Sequence, residues 1–480
     1  MKSFFTRLLS AKLIKQISIL FLFYFFLGAI IPYLFPSKIN DQKKQEFNKT
    51  QYTSDKNIIG PDRVCIIESP KDAFNVRLEI IRNAEKTLDI SSYKFKDDPC
   101  TEAFLGEILN AADRGVEIRI VFNSFINFAG KVKHEMKKLN NHPNIECKLY
   151  NQINLLYPWR THAMLHDKII IADDSMLLMG GRNFDKRHFD PNGYDKPITY
   201  DREVFVWKTS ISNINNISAI EQTKNYVNLL WNSKDSSFYK SKPDKNNDIY
   251  LYLKECANKY EIKNPQFYEK KIADYKKQTM ETSRITLLHN PINTSKKEPW
   301  VAYQLLSLTQ NAKQKVLLQT PYATANRELL RAFKRTTENS DLYIITNSMA
   351  STPNYPAFSN YRFQRQKFIK TGANIYELQS KNSNHAKSLV IDDRLSIVGS
   401  FNMDGRSMYI DTETMLVIDS PAVAKELTNC MTVFFEKAIE VGEDNSYIEN
   451  TKVEKLPVSF AKKMITTLTF VIMRPIQFLL

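Results

Sequence analysis

Residues 166–183 read HDKIIIADDSMLLMGGRN. A histidine and a lysine two apart lead into an apolar run. Asp173 interrupts it, a second apolar run ends in two glycines, and Asn183 follows. Residues 385–402, HAKSLVIDDRLSIVGSFN, repeat the pattern: His385, Lys387, Asp392, Gly399 and Asn402 each stand 219 positions after His166, Lys168, Asp173, Gly180 and Asn183. A repeat at one constant offset is an internal duplication, so the fold has to be read as two copies of one unit.

The text around each motif agrees. In the first copy Phe74, Leu78 and Ile81 mark a helix face and TLDISSY reads as a strand. Leu105, Ile108, Leu109 and Ala112 mark a second helix, closed by DRG, and VEIRIVF is the next strand. The second copy runs AYQLLSLTQNAKQ, KVLLQTPY, RELLRAFKRTT and DLYIITN in the same helix–strand order. The expected fold is α/β: two duplicated α-β-α sandwich halves, each supplying one sheet, sharing one active site. Within each motif, strand alternation points histidine and lysine to the same face. The paired aspartates then make a turn, and the glycine that ends the returning strand lets backbone approach a ligand.

Two such sets meeting across an interface suit transfer at a phosphodiester. A neutral imidazole can attack phosphorus while the other, protonated, serves the leaving and entering oxygens. Lys168 and Lys387 can offset phosphate charge, with Asn183, Ser400 and Asn402 binding the substrate. Asp173 and Asp392 are counted with the catalytic motif, as braces of the loop and histidine strand. Each imidazole needs an orienting acceptor, and Glu203 in DREVFV and Glu413 in DTETMLV are the candidates. His162 and His188, flanking the first motif, are weaker candidates for substrate contact. A lone histidine at a strand end is usually just a satisfied surface residue; a five-position tandem repeat is far more specific.

The five cysteines are scattered and form no C-x-x-C pair. Neither a zinc site nor a disulfide framework is indicated, and no metal or cofactor is expected. The 480-residue chain is 43% hydrophobic and 25% charged, as globular proteins are, with a net charge of +15. That charge suits nucleic acid, anionic membranes or phosphate-bearing substrates alike. Between Lys15 and Lys38 lie 22 uncharged residues. As a helix they cover roughly 33 Å, enough for a hydrocarbon core of about 30 Å. They are long for a signal peptide, and no A-x-A site follows, so an uncleaved transmembrane anchor is expected. Lys2, Arg7, Lys12 and Lys15 before it balance Lys38, Lys43, Lys44 and Lys49 after it, leaving the orientation open. At the other end Phe460, Met464, Leu468, Val471 and Ile472 share a helical face flanked by Lys462, Lys463 and Arg474. An interfacial helix and a helix packed on the body fit equally.

The expected organisation is an anchor (1–37), a linker (38–64), a first half (65–238), a charged helical insert read as a solvated connector (239–283), a second half (284–440) and a basic amphipathic membrane-associating tail (441–480).

Both copies match H-x-K-x4-D-x6-G-[GS]-x-N, and the chain resembles the phospholipase D superfamily. ILNAADRGVEIRIVFN, GGRNFDKRHF, LYIITNSMAST, QKFIKTGANIYEL, VGSFNMDGRSMYIDTE and the ending PIQFLL resemble its bacterial cardiolipin synthase branch, C-type. The resemblance implies phosphatidyl transfer to phosphatidylglycerol through a phosphohistidine, with His166 as nucleophile and His385 as general acid and base. The donor would be phosphatidylglycerol or phosphatidylethanolamine, the location a bacterial inner membrane, with no obligate protein partner. The competing readings are a hydrolase of the same chemistry, acting on phospholipid or nucleic acid, and a non-catalytic membrane scaffold. No nucleic-acid stacking platform is legible.

Overall fold

A computed structural model describes residues 11–479 apart from 56–57, 126, 128–134, 137, 210–216, 240–247, 325 and 450–451. Lys2, Arg7 and residues 240–247 at the start of the lysine-rich insert lie outside the described residues.

The duplication is carried by two sheets of matching order. The first contains β1 (Asp62–Ile67), β2 (Thr87–Ser92), β3 (Glu117–Asn123), β4 (Ile145–Tyr150), β5 (Lys168–Ala172), β6 (Met176–Gly180), β8 (Glu203–Lys208) and β9 (Ser236–Phe238), ordered β1-β8-β6-β5-β2-β3-β4-β9. A short β10 (Met280–Glu281) extends its β1 edge. The second contains β11 (Arg284–His289), β12 (Lys315–Gln319), β13 (Asp341–Asn347), β14 (Asn374–Leu378), β16 (Ser388–Ile391), β17 (Leu395–Gly399), β18 (Thr414–Asp419) and β19 (Ala438–Val441), ordered β11-β18-β17-β16-β12-β13-β14-β19. Parallel pairs β2·β3 and β12·β13 are joined through the helices Pro99–Asp113 and Arg327–Thr337, the crossover that parallel strands require.

Each motif is a hairpin, β5–β6 or β16–β17, turning at Asp173 (φ 53°) and Asp392 (φ 52°). Aspartate tolerates this left-handed conformation better than most residues. Alternation then divides the strand's side chains. Ile170 and Ala172 enter the helix-covered core of the first half. Ile169 and Ile171 enter a second core shared with Val390, Val398, Leu416 and Ile418 of the other half. A strand buried on both faces reads as a continuous apolar run, which is why IIIA shows no alternation. Truncating Ile169 to alanine in this interface would cost about 2–5 kcal/mol.

The insert is not a solvated connector. The helix Asp248–Lys263 packs on Pro99–Asp113 so closely that a Cβ at Gly106 would stand 2.3 Å from the Leu253 carbonyl oxygen. Leu253, Tyr260, Phe267 and Tyr275 belong to the first core. The lysines obscured an aromatic pattern whose apolar area is what anchors the segment.

The N-terminal helix Ala11–Ile30 is largely exposed, and Leu13–Tyr33 is long and apolar enough to cross a membrane. The C-terminal helix Phe460–Met473 leaves Phe460, Met464, Leu468, Val471 and Ile472 exposed. Phe470 stacks on Phe363 with ring centroids 4.4 Å apart. The end of the chain tucks back, burying Leu479 with Tyr33, Ala163 and Ile410.

Candidate active site

The halves exchange backbone where the motifs begin. Leu165 bridges Thr412 in parallel, and Asn384 of β15 (Ser383–Asn384) bridges Tyr200 of β7 (Thr199–Tyr200). The Thr412 N–H donates to Met164 O at 2.9 Å, and the His385 N–H donates to Tyr200 O at 2.7 Å. Each histidine therefore emerges beside the other half's chain, one residue from a carboxylate. His166 Nδ1 lies 2.9 and 3.1 Å from the two carboxylate oxygens of Glu413. His385 Nδ1 lies 2.6 Å from Asp201 Oδ2. With Nδ1 committed to a carboxylate, each ring has Nε2 left to meet a substrate.

Glu203 is not the partner of His385. Ladder register explains why: Gly180 pairs with Glu203, whereas its counterpart Gly399 pairs with Met415. Glu203 thus corresponds to Met415, and Asp201, two residues earlier, corresponds to Glu413. Glu203 instead closes a buried ion pair with Arg77 and lies 3.4 Å from Arg182. The signal missed in the sequence is this register, not the presence of an acid. Nearby Arg202 joins the halves, chelating Glu68 at 2.6 and 3.0 Å and donating to Gln319 at 2.9 Å and Ser388 at 3.0 Å.

Asp173 and Asp392 stand at the far ends of their hairpins, away from the imidazoles. Asp173 accepts from the N–H groups of Glu85, Lys86 and Thr87 at 2.8–3.1 Å. Asp392 accepts from those of Lys313, Gln314 and Lys315 at the same range. Both tie the hairpin to the start of the neighbouring strand, as braces; their place is not catalytic.

Lys168 donates to the His166 carbonyl, and its ammonium sits 5.0 Å above the Tyr93 ring, which meets His166 edge-on at 4.9 Å. Lys387 donates to the His385 carbonyl and lies 2.9 Å from His385 Nδ1. Burial pushes Lys168 down to about 7 against the pull of Glu413, with Lys387 adding to the push. Burial likewise lowers Lys387 to about 8, opposed by Asp201 and Glu413. Burial and the neighbouring lysines hold both imidazoles in the neutral form, His385 at about 3 and His166 well below its usual value.

The two carboxylates differ. Burial lifts Glu413 to about 8 despite Lys168 and hydrogen bonds from Ser400 and Ser407. Burial would also raise Asp201, but His385 and Lys387 outweigh it and hold that carboxyl well below the usual range. Sequence offset accounts for the contrast. Ser400 and Ser407 both donate to Glu413, Ser407 at 2.6 Å. Their counterparts in the first half are Gly181 and His188. A Cβ at Gly181 would collide with Asp201 Oδ1 at 2.2 Å. His188 is fully buried, lies 3.8 Å from Asp201 Oδ2 and meets the His385 ring at 5.6 Å. Neither of its ring nitrogens makes a hydrogen bond among the described residues.

Asn183 and Asn402 are buried beside their motifs, and the Oδ1 of each has no hydrogen-bond partner among the described residues. The same unmet amide in both copies fits a site completed by a ligand. His162 belongs elsewhere: its Nε2 donates to Ala29 O of the N-terminal helix at 2.9 Å.

Among the described residues one group could converge on a metal ion. It is His188, Asp201 and His385, with ligand atoms within 4.8 Å of one another. Lys387 lies against the same imidazole, a cation where a dication would have to sit.

The family described as cardiolipin synthase, PLD-like domain matches residues 78–207 and 305–433, one segment in each half. An uncharacterized protein of Helicobacter pylori J99 is 28% identical over 397 residues, covering 75% of this chain and 77% of that protein. Cardiolipin synthase C of Escherichia coli K12 is 24% identical over 400 residues, covering 75% and 82%. The solved phosphatidylserine synthase of Haemophilus influenzae Rd KW20 superposes with a TM-score of 0.62 at 14% identity, over 92% of this chain and 99% of that one, and so shares the fold. With the match spanning both motif-bearing halves, the chain belongs to the cardiolipin synthase PLD-like domain family and is a phospholipase D-superfamily enzyme of the phosphatidyl-transferring, cardiolipin synthase-like kind.

Proposed function

We propose that the protein makes cardiolipin, moving a phosphatidyl group from a donor phospholipid onto phosphatidylglycerol through a phosphohistidine. The observation that carries this reading is the exchanged pairing, His166 with Glu413 and His385 with Asp201, in which each motif histidine is held by a carboxylate of the other half.

In the first step His166 Nε2 forms a bond to phosphorus as the bond from phosphorus to the headgroup oxygen breaks. A protonated His385 gives its proton to the departing alkoxide. An arriving phosphodiester anion supplies the negative charge that lets His385 hold that proton, and ionised Asp201 steadies the imidazolium. In the second step the acceptor hydroxyl loses its proton to His385, its oxygen bonds to phosphorus, and the bond to Nε2 breaks. Lys168, Lys387 and the Nδ2 groups of Asn183 and Asn402 would donate to the charged non-bridging oxygens. In this reading the stretch Leu13–Tyr33 is a membrane span and the tail from Phe460 lies on the same bilayer, whose acceptor lipid is locally concentrated.

Product analysis with headgroup-labelled phosphatidylglycerol and phosphatidylethanolamine in defined liposomes tests this. Cardiolipin with release of labelled glycerol or ethanolamine is the expected result. Phosphatidic acid alone at saturating acceptor would make the protein a phospholipase, and cleavage of single-stranded nucleic acid with no lipid product would make it a nuclease.

A further inference from the structure

The apolar N-terminal helix does not stand clear of the catalytic body. Tyr24 Oη donates to Leu156 O at 2.6 Å. Gly28 lies against Pro158, where a Cβ would meet Pro158 Cγ at 2.4 Å. His162 donates to Ala29 O, and Tyr33 Oη donates to Trp159 O with its ring edge-on to His162 at 5.3 Å. The first half thus runs up one side of the helix. Tyr24 and Tyr33 are nine residues apart, about 13 Å along a helix axis. A span reaching from Leu13 to Tyr33 across a hydrocarbon core of about 30 Å would carry Leu156 well into that core.

The segment that reaches this depth is built for it. Asn151 to Trp159, NQINLLYPW, contains no charged side chain. Ile153, Leu155, Leu156 and Tyr157 are large apolar groups that the described residues leave 41–64% exposed, the Tyr157 ring packing on Trp159 at 5.5 Å and beneath the Arg160 guanidinium at 6.0 Å. Two of its backbone N–H groups are satisfied within the loop: that of Leu156 donates to Asn154 Oδ1 and that of Tyr157 to Asn154 O, each at 3.0 Å. Irregular backbone at membrane depth needs such internal partners. The loop is closed at its base, where Asn151 (φ 54°) donates through Nδ2 to the carbonyls of Arg160 and Ala163 at 2.7 Å each. Arg160, the first charge after it, is held by Asp235 at 2.8 Å.

We propose that Ile153–Tyr157 is a membrane-inserted loop that enters the acyl-chain region of the bilayer alongside the N-terminal helix. This rests on reading that helix as a span. The occupant is lipid hydrocarbon: the exposed apolar groups are contiguous with the span, and the loop offers no charge for a polar partner. His166 follows nine residues after Tyr157 on the same stretch of chain, so the site is seated at the surface from which its lipid comes.

The test uses the full chain in vesicles of phosphatidylglycerol and phosphatidylethanolamine, with Cys256 and Cys430 replaced by serine. An environment-sensitive probe is placed at Leu156→Cys and, separately, at Leu20→Cys in the helix, with acyl-brominated lipid as quencher. A blue-shifted, bromine-quenched signal at both positions is expected. An aqueous signal at 156 with a hydrocarbon signal at 20 would overturn the loop's insertion while the span stands. Aqueous signals at both would overturn the span reading together with the inference. Because the readout needs no turnover, it is independent of which lipid reaction the protein performs. In parallel, Leu155→Asp/Leu156→Asp should raise the apparent KM for vesicles about tenfold with kcat held within about threefold. An equal loss of kcat and kcat/KM would instead mark the loop as part of the site's own scaffold and contradict insertion as its role.

Discussion

His166 and Glu413 come from different halves of the duplication, yet the imidazole Nδ1 sits 2.9 Å from the carboxylate. His385 and Asp201 make the reciprocal exchange at 2.6 Å. In each case the histidine is oriented by a carboxylate of the other half.

The orienting carboxylates should matter for turnover, and Glu203 should not. Asp201→Asn should lower kcat by on the order of 10²–10⁴-fold with the fold intact, and Glu413→Gln should do so above about pH 8, where the Glu413 carboxyl is ionised and can accept from His166 Nδ1. Glu203→Ala should act on stability, leaving buried Arg77 and Arg182 without their counter-charge at a cost of about 3–5 kcal/mol. Denaturant titration alongside initial rates separates the two; a Glu203→Gln protein as inactive as Asp201→Asn would restore Glu203 to the site.

Asp173 and Asp392 should behave as braces. Each accepts three backbone N–H groups at a hairpin turn, so Asp173→Ala and Asp392→Ala should each lose about 1–3 kcal/mol by leaving those groups unpaired. The folded fraction should keep kcat within about tenfold. A complete loss of kcat at unchanged stability would place them in the chemistry.

Stability should carry the mark of Glu413. Its carboxyl is raised to about 8 in the folded protein, above the unfolded value, so the folded state binds the extra proton between roughly pH 4.5 and 8. Stability from this group is full at the acid end and is lost as pH rises through that window. The melting temperature of Glu413→Gln relative to the unaltered protein should therefore climb from pH 5 to pH 8. Parallel melting curves across that range would contradict a protonated Glu413.

His188 occupies the position that Ser407 holds in the second half, but it makes no hydrogen bond to its carboxylate. His188→Ser should fold and should shift only one limb of the bell-shaped kcat profile, the limb governed by His385, because a hydroxyl would then donate to Asp201. A profile moved on both limbs, or not at all, would remove His188 from that role.

The repeat of histidine, lysine, aspartate, glycine and asparagine was enough to read two α/β halves and the hairpins that hold the motifs. Glu413 was legible because it follows the asparagine of its motif on an expected strand, DTETMLV. Asp201 was not, because the loops leading into β8 and β18 differ in length and sequence offset no longer gives register there. Asp173 lies inside the motif yet outside the site, since motif spacing does not distinguish a turn brace from a reacting group. The lysines of the insert concealed Leu253, Tyr260 and Tyr275, which are buried in the first core, Leu253 by close packing against Gly106 that only the folded helix pair creates.

A shared site with a covalent intermediate is tested most directly by trapping it. In His385→Ala, a phosphatidyl donor whose leaving group is 4-nitrophenolate needs no acid, so the first transfer can proceed while the second stalls. Rapid mixing, alkaline quenching and peptide mass spectrometry should give a stoichiometric burst of nitrophenolate and one phosphatidyl adduct per chain, on His166, with none in His166→Ala. Continuous turnover of His385→Ala with no adduct on His166 would contradict a site built jointly by the two halves.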